Sequence, residues 1–497
     1  MAGVPSETSW LPFLASILPI GGALLVAPAA RISERARDQA AFWVSLAVLL
    51  LVCSLYPAVS GGGVAGVSFP SVMPPFGLSF RADLLSFTLG LITALIWVLV
   101  SLYSWEYMLH EGDRTRFYAF LLLTLGGCLG TVMAGDLITL YLFFEVMSLA
   151  AFVLVVHDGT PQAMRAGYLY LLMTIGGALA LFFGIIVVYR LTGSVALTVP
   201  GTLPAASGLP FAAFLALLAG FGMKAGMVPL HIWLPEAHPV APSPASALLS
   251  GIMIKIGAYG LIRVIYNLFD PASVGNAGWN QIVLVLGAIT TIWGSVLAIA
   301  QTDLKRRLAY SSIGQMGYVL IGLALLSGRA LTGDVFHILS HAVMKSCLFL
   351  TSGAIILQTG RRTIEELKGV AKEMPVTMGA FTAAAFAMIG LPPFNGFLSK
   401  WIIGLGALDA GRAFYTVILL LSSFLNAVYY FPIIVNAYFK PPAEEAIPRR
   451  EVGYTMLVPM VTLAVLTVLF DVLPRNLPLE LAQATAAAVF KAGGGLL

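Results

Sequence analysis

Charge is scarce in this chain: Lys, Arg, Asp and Glu together make up 10% of its 497 residues, where soluble domains carry roughly a quarter. A water-soluble globular body is thereby excluded. The mean hydropathy of +0.93 and the 59% hydrophobic content agree. Cysteine is nearly absent, and Cys53, Cys128 and Cys347 stand singly inside apolar stretches with no CxxC pair. Neither a disulfide framework nor an iron–sulfur or zinc site is expected. Long polar segments are lacking too. The longest, 360–373 and 440–451, are too short for a soluble domain, which argues against chemistry on bulky soluble substrates. No Lys or Arg precedes the first apolar run, so a cleavable signal is not expected and the first span should remain.

Two glycine strings that look like nucleotide motifs lack the necessary context. Gly61–Gly66 reads GxGxxG but lies in a loop with no preceding strand and no βαβ unit. Gly220, Gly222 and Ala225 give GxGxxA inside an apolar run, where small residues let helices approach closely. The loop acids are scattered and offer no metal-ligand cluster.

What the sequence does contain is a succession of apolar runs, each of about the 20 residues needed to cross hydrocarbon as helix. Fourteen can be counted, from 10–30 to 452–473, and they predict an all-α polytopic membrane protein in a lipid bilayer. The following segment, 478–491, is Ala-rich and helix-prone and reads as an interfacial or frayed tail. The net charge of +4 does not indicate nucleic acid, because the basic residues sort by membrane side. Sixteen, including Arg35, Arg116, Lys305, Arg362, Arg449 and Arg450, fall in loops after odd-numbered spans. The opposite loops and span ends hold only Arg81, Arg190, Arg329 and Arg412, with Arg475 and Lys491 in the tail. The positive-inside rule then places both termini outside.

Five bases sit within the apolar runs: Lys224, Lys255, Arg263, Lys345 and Lys400, with Glu145 placed likewise. A charge near the bilayer centre costs at least about 2.5 to 3.5 kcal/mol on insertion scales, so each must be paired, hydrated or used. Snorkelling to the interface is the bland alternative. Lys224 and Lys255 lie too deep for it, about 12 or 13 residues into their spans. Glu145 could instead be a neutral acid hydrogen-bonded to a neighbouring helix. Arg263 is near a span end and reads as structural, and His110 and His157 read as interfacial. His231 and His238 fit a structural or a functional role equally. His337, His341 and Lys345 recur at i, i+4 and i+8 and so share one helix stripe.

Lysine and histidine suit proton handling. A lysine in low dielectric holds its proton weakly and a nearby carboxylate tightens the hold, whereas arginine cannot be unloaded. Histidine exchanges protons near neutrality. Two spans are also interrupted near their lysines, by Pro229 and Pro235 beside Lys224 and by Gly390-Leu391-Pro392-Pro393 beside Lys400. Discontinuous helices in corresponding halves point to a transport site.

The stretch GMKAGMVPLHIWLPEAHPVAPSPASALLSGIMIKIGAYGLIR, Gly222 to Arg263, resembles the signature of the antiporter-like subunits shared by respiratory complex I, Mrp-type cation/proton antiporters and membrane-bound energy-converting hydrogenases. The resemblance continues through DLITLYLFFEVMSL around Glu145, DLKRRLAYSSIGQMGY from Asp303, FHILSHAVMKSCLFLTSGAI from Phe336 and GLPPFNGFLSKW ending beside Lys400. It implies fourteen helices with two inverted five-helix repeats and two broken helices. The divisions would be 1–114, a first repeat at 115–267, a second at 268–438, and a last helix with its tail at 439–497. It further implies an ion pair of Glu145 and Lys224, Lys255 as a connecting base, His337, His341 and Lys345 as a central relay, and Lys400 as the terminal site. Protons, alone or exchanged for Na+, would be the substrates, other membrane subunits the partners, and a prokaryotic plasma membrane the location. No cofactor is expected in this chain. Lys400 and the lack of a long C-terminal extension resemble the Mrp D-type subunits. Complex I pump subunits and hydrogenase subunits stand as alternatives, and a quinone-binding redox subunit is a further one.

Overall fold

The computed structural model describes residues 7–197, 203–441, 451–473 and 478–492. Arg449, Arg450 and Arg475, used above to orient the chain, lie outside the described residues, as does the Lys491 side chain.

Inside hydrocarbon every backbone group must be satisfied within its own segment, so the apolar runs become helices. The first six are α1 (Leu11–Ile32), α2 (Glu34–Cys53), α3 (Leu84–Tyr107), α4 (Arg114–Val132), α5 (Leu137–Val155) and α6 (Pro161–Thr192). Next come α7 (Leu209–Ala225), the short α8 (Trp233–Val240), α9 (Ser243–Leu268), α10 (Trp279–Ala300), α11 (Leu304–Ala324) and α12 (Gly328–Thr359). The chain continues with α13 (Pro375–Ile389), α14 (Asn395–Asp409), α15 (Ala413–Phe439), α16 (Tyr454–Val472) and α17 (Pro478–Ala492). Polar caps fix several starts, with the Asp83, Asp136, Asp303 and Ser327 side chains accepting from backbone N–H groups of the first turn.

Eleven helices among the described residues are long and apolar enough to cross a membrane. α7 and α13 are apolar but short. Each stops at a glycine in the left-handed region, Gly226 at φ +74° and Gly390 at φ +91°, and resumes as α8 or α14 beyond an irregular link. α11 is less apolar, since it opens on Lys305, Arg306 and Arg307 and carries Ser311, Ser312 and Gln315.

The core belongs to the two helices richest in buried ionisable groups. The apolar windows of α9 and α12 are 100% buried, against 28% for α1, α2 and α16. Small residues allow this packing. A Cβ on Gly257 of α9 would fall 2.6 Å from the Ala225 backbone nitrogen of α7, so Gly257→Ala should part the two helices and cost about 1–3 kcal/mol. A lowered thermal midpoint of the purified protein in detergent would report it. Gly220 packs equally tightly, since a Cβ there would stand 2.7 Å from the Gly177 carbonyl oxygen of α6, which is the close approach expected of the GxGxxA string.

Three sequence expectations need correction, and one feature was not foreseen. The chain is not purely helical. A small sheet of β1 (Glu7–Thr8), β2 (Ala65–Phe69) and β3 (Leu78–Ala82) runs in the order β1-β2-β3, β1 parallel and β3 antiparallel to β2. Its anchor is aromatic: Phe80 meets Phe13 at 5.2 Å and Phe143 at 5.5 Å between ring centroids. The helix-prone 478–491 segment is helical as expected, but it is docked on the bundle instead of lying interfacial or frayed. α17 packs on α3 and α12, Thr485 hydrogen-bonds Thr88 at 2.8 Å, and Phe490 meets Tyr266 at 5.4 Å. The interruption beside Lys224 begins at Gly226, and Pro235 lies in the first turn of α8, where a missing N–H costs nothing. Finally, α9 contains two π-helical turns, Leu249–Met253 and Val264–Leu268, which periodicity did not reveal.

Candidate functional site

Lys224 occupies the last turn of α7, fully buried. Its ammonium donates to Tyr170 Oη at 2.7 Å and Ser148 Oγ at 3.0 Å. The rings of Tyr170, Trp233 and Phe144 surround it at 4.9, 5.7 and 5.8 Å, a cage whose quadrupoles favour a cation. Trp233 is held in place by donating to the Met223 carbonyl at 3.0 Å. The expected ion pair with Glu145 is not formed in this structure, and no salt bridge joins them among the described residues. Glu145 lies one helical turn before Ser148 on α5, half-buried, with Oε1 unpartnered among the described residues. Tyr170 and Ser148 occupy the ammonium instead.

Lys255 follows the first π turn of α9 and donates to the Ser250 carbonyl five residues back. π turns free such backbone acceptors and recur at functional sites. From there a polar line crosses to α11 and α12. Ser250 Oγ meets Ser312 Oγ at 2.7 Å, and Ser312 donates to the Leu308 carbonyl at 2.9 Å. That same carbonyl accepts from Lys345 at 2.9 Å, while Lys345 also contacts Ser311 Oγ and Tyr430 Oη.

Along α12 the stripe predicted from spacing is present. The His337 and His341 rings stack at 5.7 Å with 7° between planes, and His337 Nδ1 lies 2.9 Å from Ser399 Oγ. His337 Nε2 and both His341 nitrogens have no partner among the described residues. Buried polar groups without a partner are uncommon and call for an explanation beyond packing.

Lys400 is placed by the break it follows. α13 ends at Gly390 with its last carbonyls unsatisfied, and the Lys400 ammonium donates to two of them, Met388 at 2.6 Å and Ile389 at 3.1 Å. A cation at a helix C-terminus also meets the negative end of the dipole. The Tyr318 ring lies 5.2 Å from the ammonium and edge-on to His337 at 5.5 Å, joining Lys400 to the stripe. A cavity of about 240 Å3 opens beside it, lined by Phe397, Trp401, Leu405, Leu419 and Leu420.

The other candidates separate cleanly. Arg263 grips Asp83 with both terminal nitrogens, at 2.6 and 2.7 Å, and adds Ser86, Asn267 and Tyr259. It is a structural clamp between α9 and the start of α3. His157 contacts the Gly112 carbonyl at 3.0 Å at a helix end. His238 stacks on Phe349 at 4.6 Å, with both nitrogens unpartnered among the described residues. Tyr170, Ser148, Ser399 and Tyr318 were not singled out in the sequence, since hydroxyls are common in apolar helices. Asp334, fully buried on α12 with both oxygens unpartnered among the described residues, was also passed over because it lies near a span end.

A many-spanning helical membrane protein with buried bases on and beside its two innermost helices, Lys255 and Lys345 among them linked by hydroxyl and carbonyl groups, is the class these features define. Residues 134–426 match the model of the NADH:quinone oxidoreductase/Mrp antiporter transmembrane family, and 74–118 match that of the NADH-ubiquinone oxidoreductase (complex I) chain 5 N-terminus. The chain belongs to this NADH:quinone oxidoreductase/Mrp antiporter family. It is 36% identical over 482 residues to NADH-quinone oxidoreductase subunit N of Desulforudis audaxviator, covering 92% of this chain and 95% of that one. With the D-type subunit of the Na(+)/H(+) antiporter of Bacillus subtilis it shares 28% over 411 residues, 82% and 83% of the two chains. A chain in the structure of the Mrp complex from Dietzia sp. superposes with a TM-score of 0.88 at 25% identity, covering 97% of each.

Proposed function

We propose that this chain is an ion-translocating, antiporter-like subunit of a multisubunit membrane complex. Protons, alone or exchanged for Na+, move along Glu145, Lys224, Lys255, Lys345, His341, His337 and Lys400. The observation that supports this reading is the chain of hydroxyl and carbonyl groups from Lys255 through Ser250, Ser312 and the Leu308 carbonyl to Lys345, with the Tyr318 ring lying between His337 and Lys400. In this reading the helices form fourteen spans with two inverted repeats, 115–267 and 268–438, and both termini face outward from a prokaryotic plasma membrane. Moving one charge against 100 mV requires about 2.3 kcal/mol, which partner subunits or a second ion gradient supply.

Lys400 supports a D-type antiporter role. A complex I-type pump role is the second reading, favoured by the 36% identity over 92% of the chain with a quinone oxidoreductase subunit. Isolation with native neighbours separates the two. Small hydrophobic partner subunits alone support the antiporter, whereas flavin or iron–sulfur partners support the redox-driven pump. In everted vesicles holding the assembled complex, Lys400→Met should lower the initial rate of proton movement by about a hundredfold, the scale of a positioned proton carrier. Full transport by that variant would remove Lys400 from the route.

A further inference from the structure

We propose that Asp334 carries protons between His337 and the membrane face at the Gly328 end of α12, an outlet branch of the relay; this rests on the relay reading given above. Asp334 is 0% exposed, and neither carboxyl oxygen has a partner among the described residues. An unpartnered polar group in an apolar interior lowers stability, so folding alone gives no reason to keep it. The usual structural roles are filled or absent. Ser327, not Asp334, caps α12, and Asp334 takes part in no ion pair among the described residues. Nor is there, among those residues, a cluster of three or more His, Cys, Asp or Glu side chains to hold a cation.

The position suits a proton carrier. At about 100° per residue, Asp334, His341 and Lys345 fall within about 40° of one another around α12, with His337 about 60° from Asp334. Residues at i and i+3 of a helix have Cβ atoms roughly 5–6 Å apart, so Asp334 and His337 are neighbours on α12, each with unpartnered polar atoms among the described residues. Asp334 lies about 9 Å along the axis from the Gly328 end, and Lys345 about 26 Å. The carboxyl rests on bare backbone of α11: a Cβ on Gly322 would stand 3.0 Å from Asp334 Cγ and 3.1 Å from Oδ1. α17 closes over this end, with Ala482 packed beside Val335 and Phe336 and Phe490 against Tyr266.

In the forward step the His337 imidazolium N–H breaks as an O–H forms on the Asp334 carboxylate. That O–H then breaks as the proton passes to a water molecule entering from the Gly328 end, which becomes hydronium and hands the proton outward over about 9 Å, restoring the carboxylate. The loops on that side are the set poor in basic residues, so release is outward.

The test uses the assembled complex in vesicles, comparing Asp334→Asn, Asp334→Glu and Lys345→Met for proton movement at unchanged subunit composition. Asp334→Asn should slow transport by about tenfold or more, and Asp334→Glu, which keeps a titratable group, should retain most of the rate. Parent-rate transport by Asp334→Asn with Lys345→Met inactive would overturn the outlet and leave the relay standing. Parent rates in both would overturn the relay reading and the outlet with it. If Asp334→Asn does not assemble, Asp334→Leu supplies the same comparison, and parent-rate transport by that variant overturns the outlet.

Discussion

Lys224→Met is expected to abolish ion movement in assembled complex, by about a hundredfold or more, while leaving the helices and partner subunits in place. Methionine matches the length and apolar stem of lysine, so the ring cage of Tyr170, Trp233 and Phe144 keeps its packing. Only the ammonium and its bonds to Tyr170 and Ser148 are lost. Glu145→Gln should reproduce much of the defect on the proposed route, because a carboxylate near a buried lysine tightens its hold on the proton, and Glu145 lies one helical turn from the Ser148 that holds Lys224. The measurement is the initial rate of a pH-sensitive dye response in everted vesicles, normalised to complex content. Parent rates from Lys224→Met would exclude it as a carrier.

That result would test a residue the sequence exposes directly. A lysine in the middle of an apolar run has few innocent explanations, and the same logic found Lys255, the α12 stripe and Lys400. Partners were harder to read. Asp83 and Arg263 lie 180 positions apart, and one sequence gives no sign that they meet. Glu145 and Lys224 were expected to pair because their charges are complementary, yet a tyrosine and a serine satisfy the lysine, and neutral hydroxyls leave no charge signature. The sheet was hidden because its strands are short and lie among the Gly, Pro and Ser of a loop. Asp334 was hidden by depth: six residues into α12 it resembles an interfacial acid, and it is buried by long-range packing against Gly322 of α11 and under an end of α12 that α17 covers.

Asp83→Ala should give the largest loss of stability, about 3–5 kcal/mol, because it strands the Arg263 guanidinium in the bundle. The Arg263 side chain is 5% exposed, and Asp83 is its one anionic partner among the described residues. Asp83 also caps α3 by accepting from the Ser86 backbone nitrogen at 2.9 Å, so the start of that helix frays as well. The purified variant should show a markedly lower thermal midpoint, or fail to assemble. Removing both charges, Asp83→Leu with Arg263→Met, should recover much of the loss, since a buried pair replaced by apolar groups is often neutral. If the double variant were as unstable as Asp83→Ala alone, the clamp would not be the cause.

The bonds from Lys400 to the Met388 and Ile389 carbonyls make this side chain a mechanical tie across the hinge between α13 and α14. Methionine there removes the tie together with the proton, so a slowed variant speaks of two losses at once. Arginine keeps a permanent positive charge that can still hold the carbonyls but cannot surrender a proton. The difference between the two substitutions therefore weighs the tether against the proton carriage proposed for Lys400.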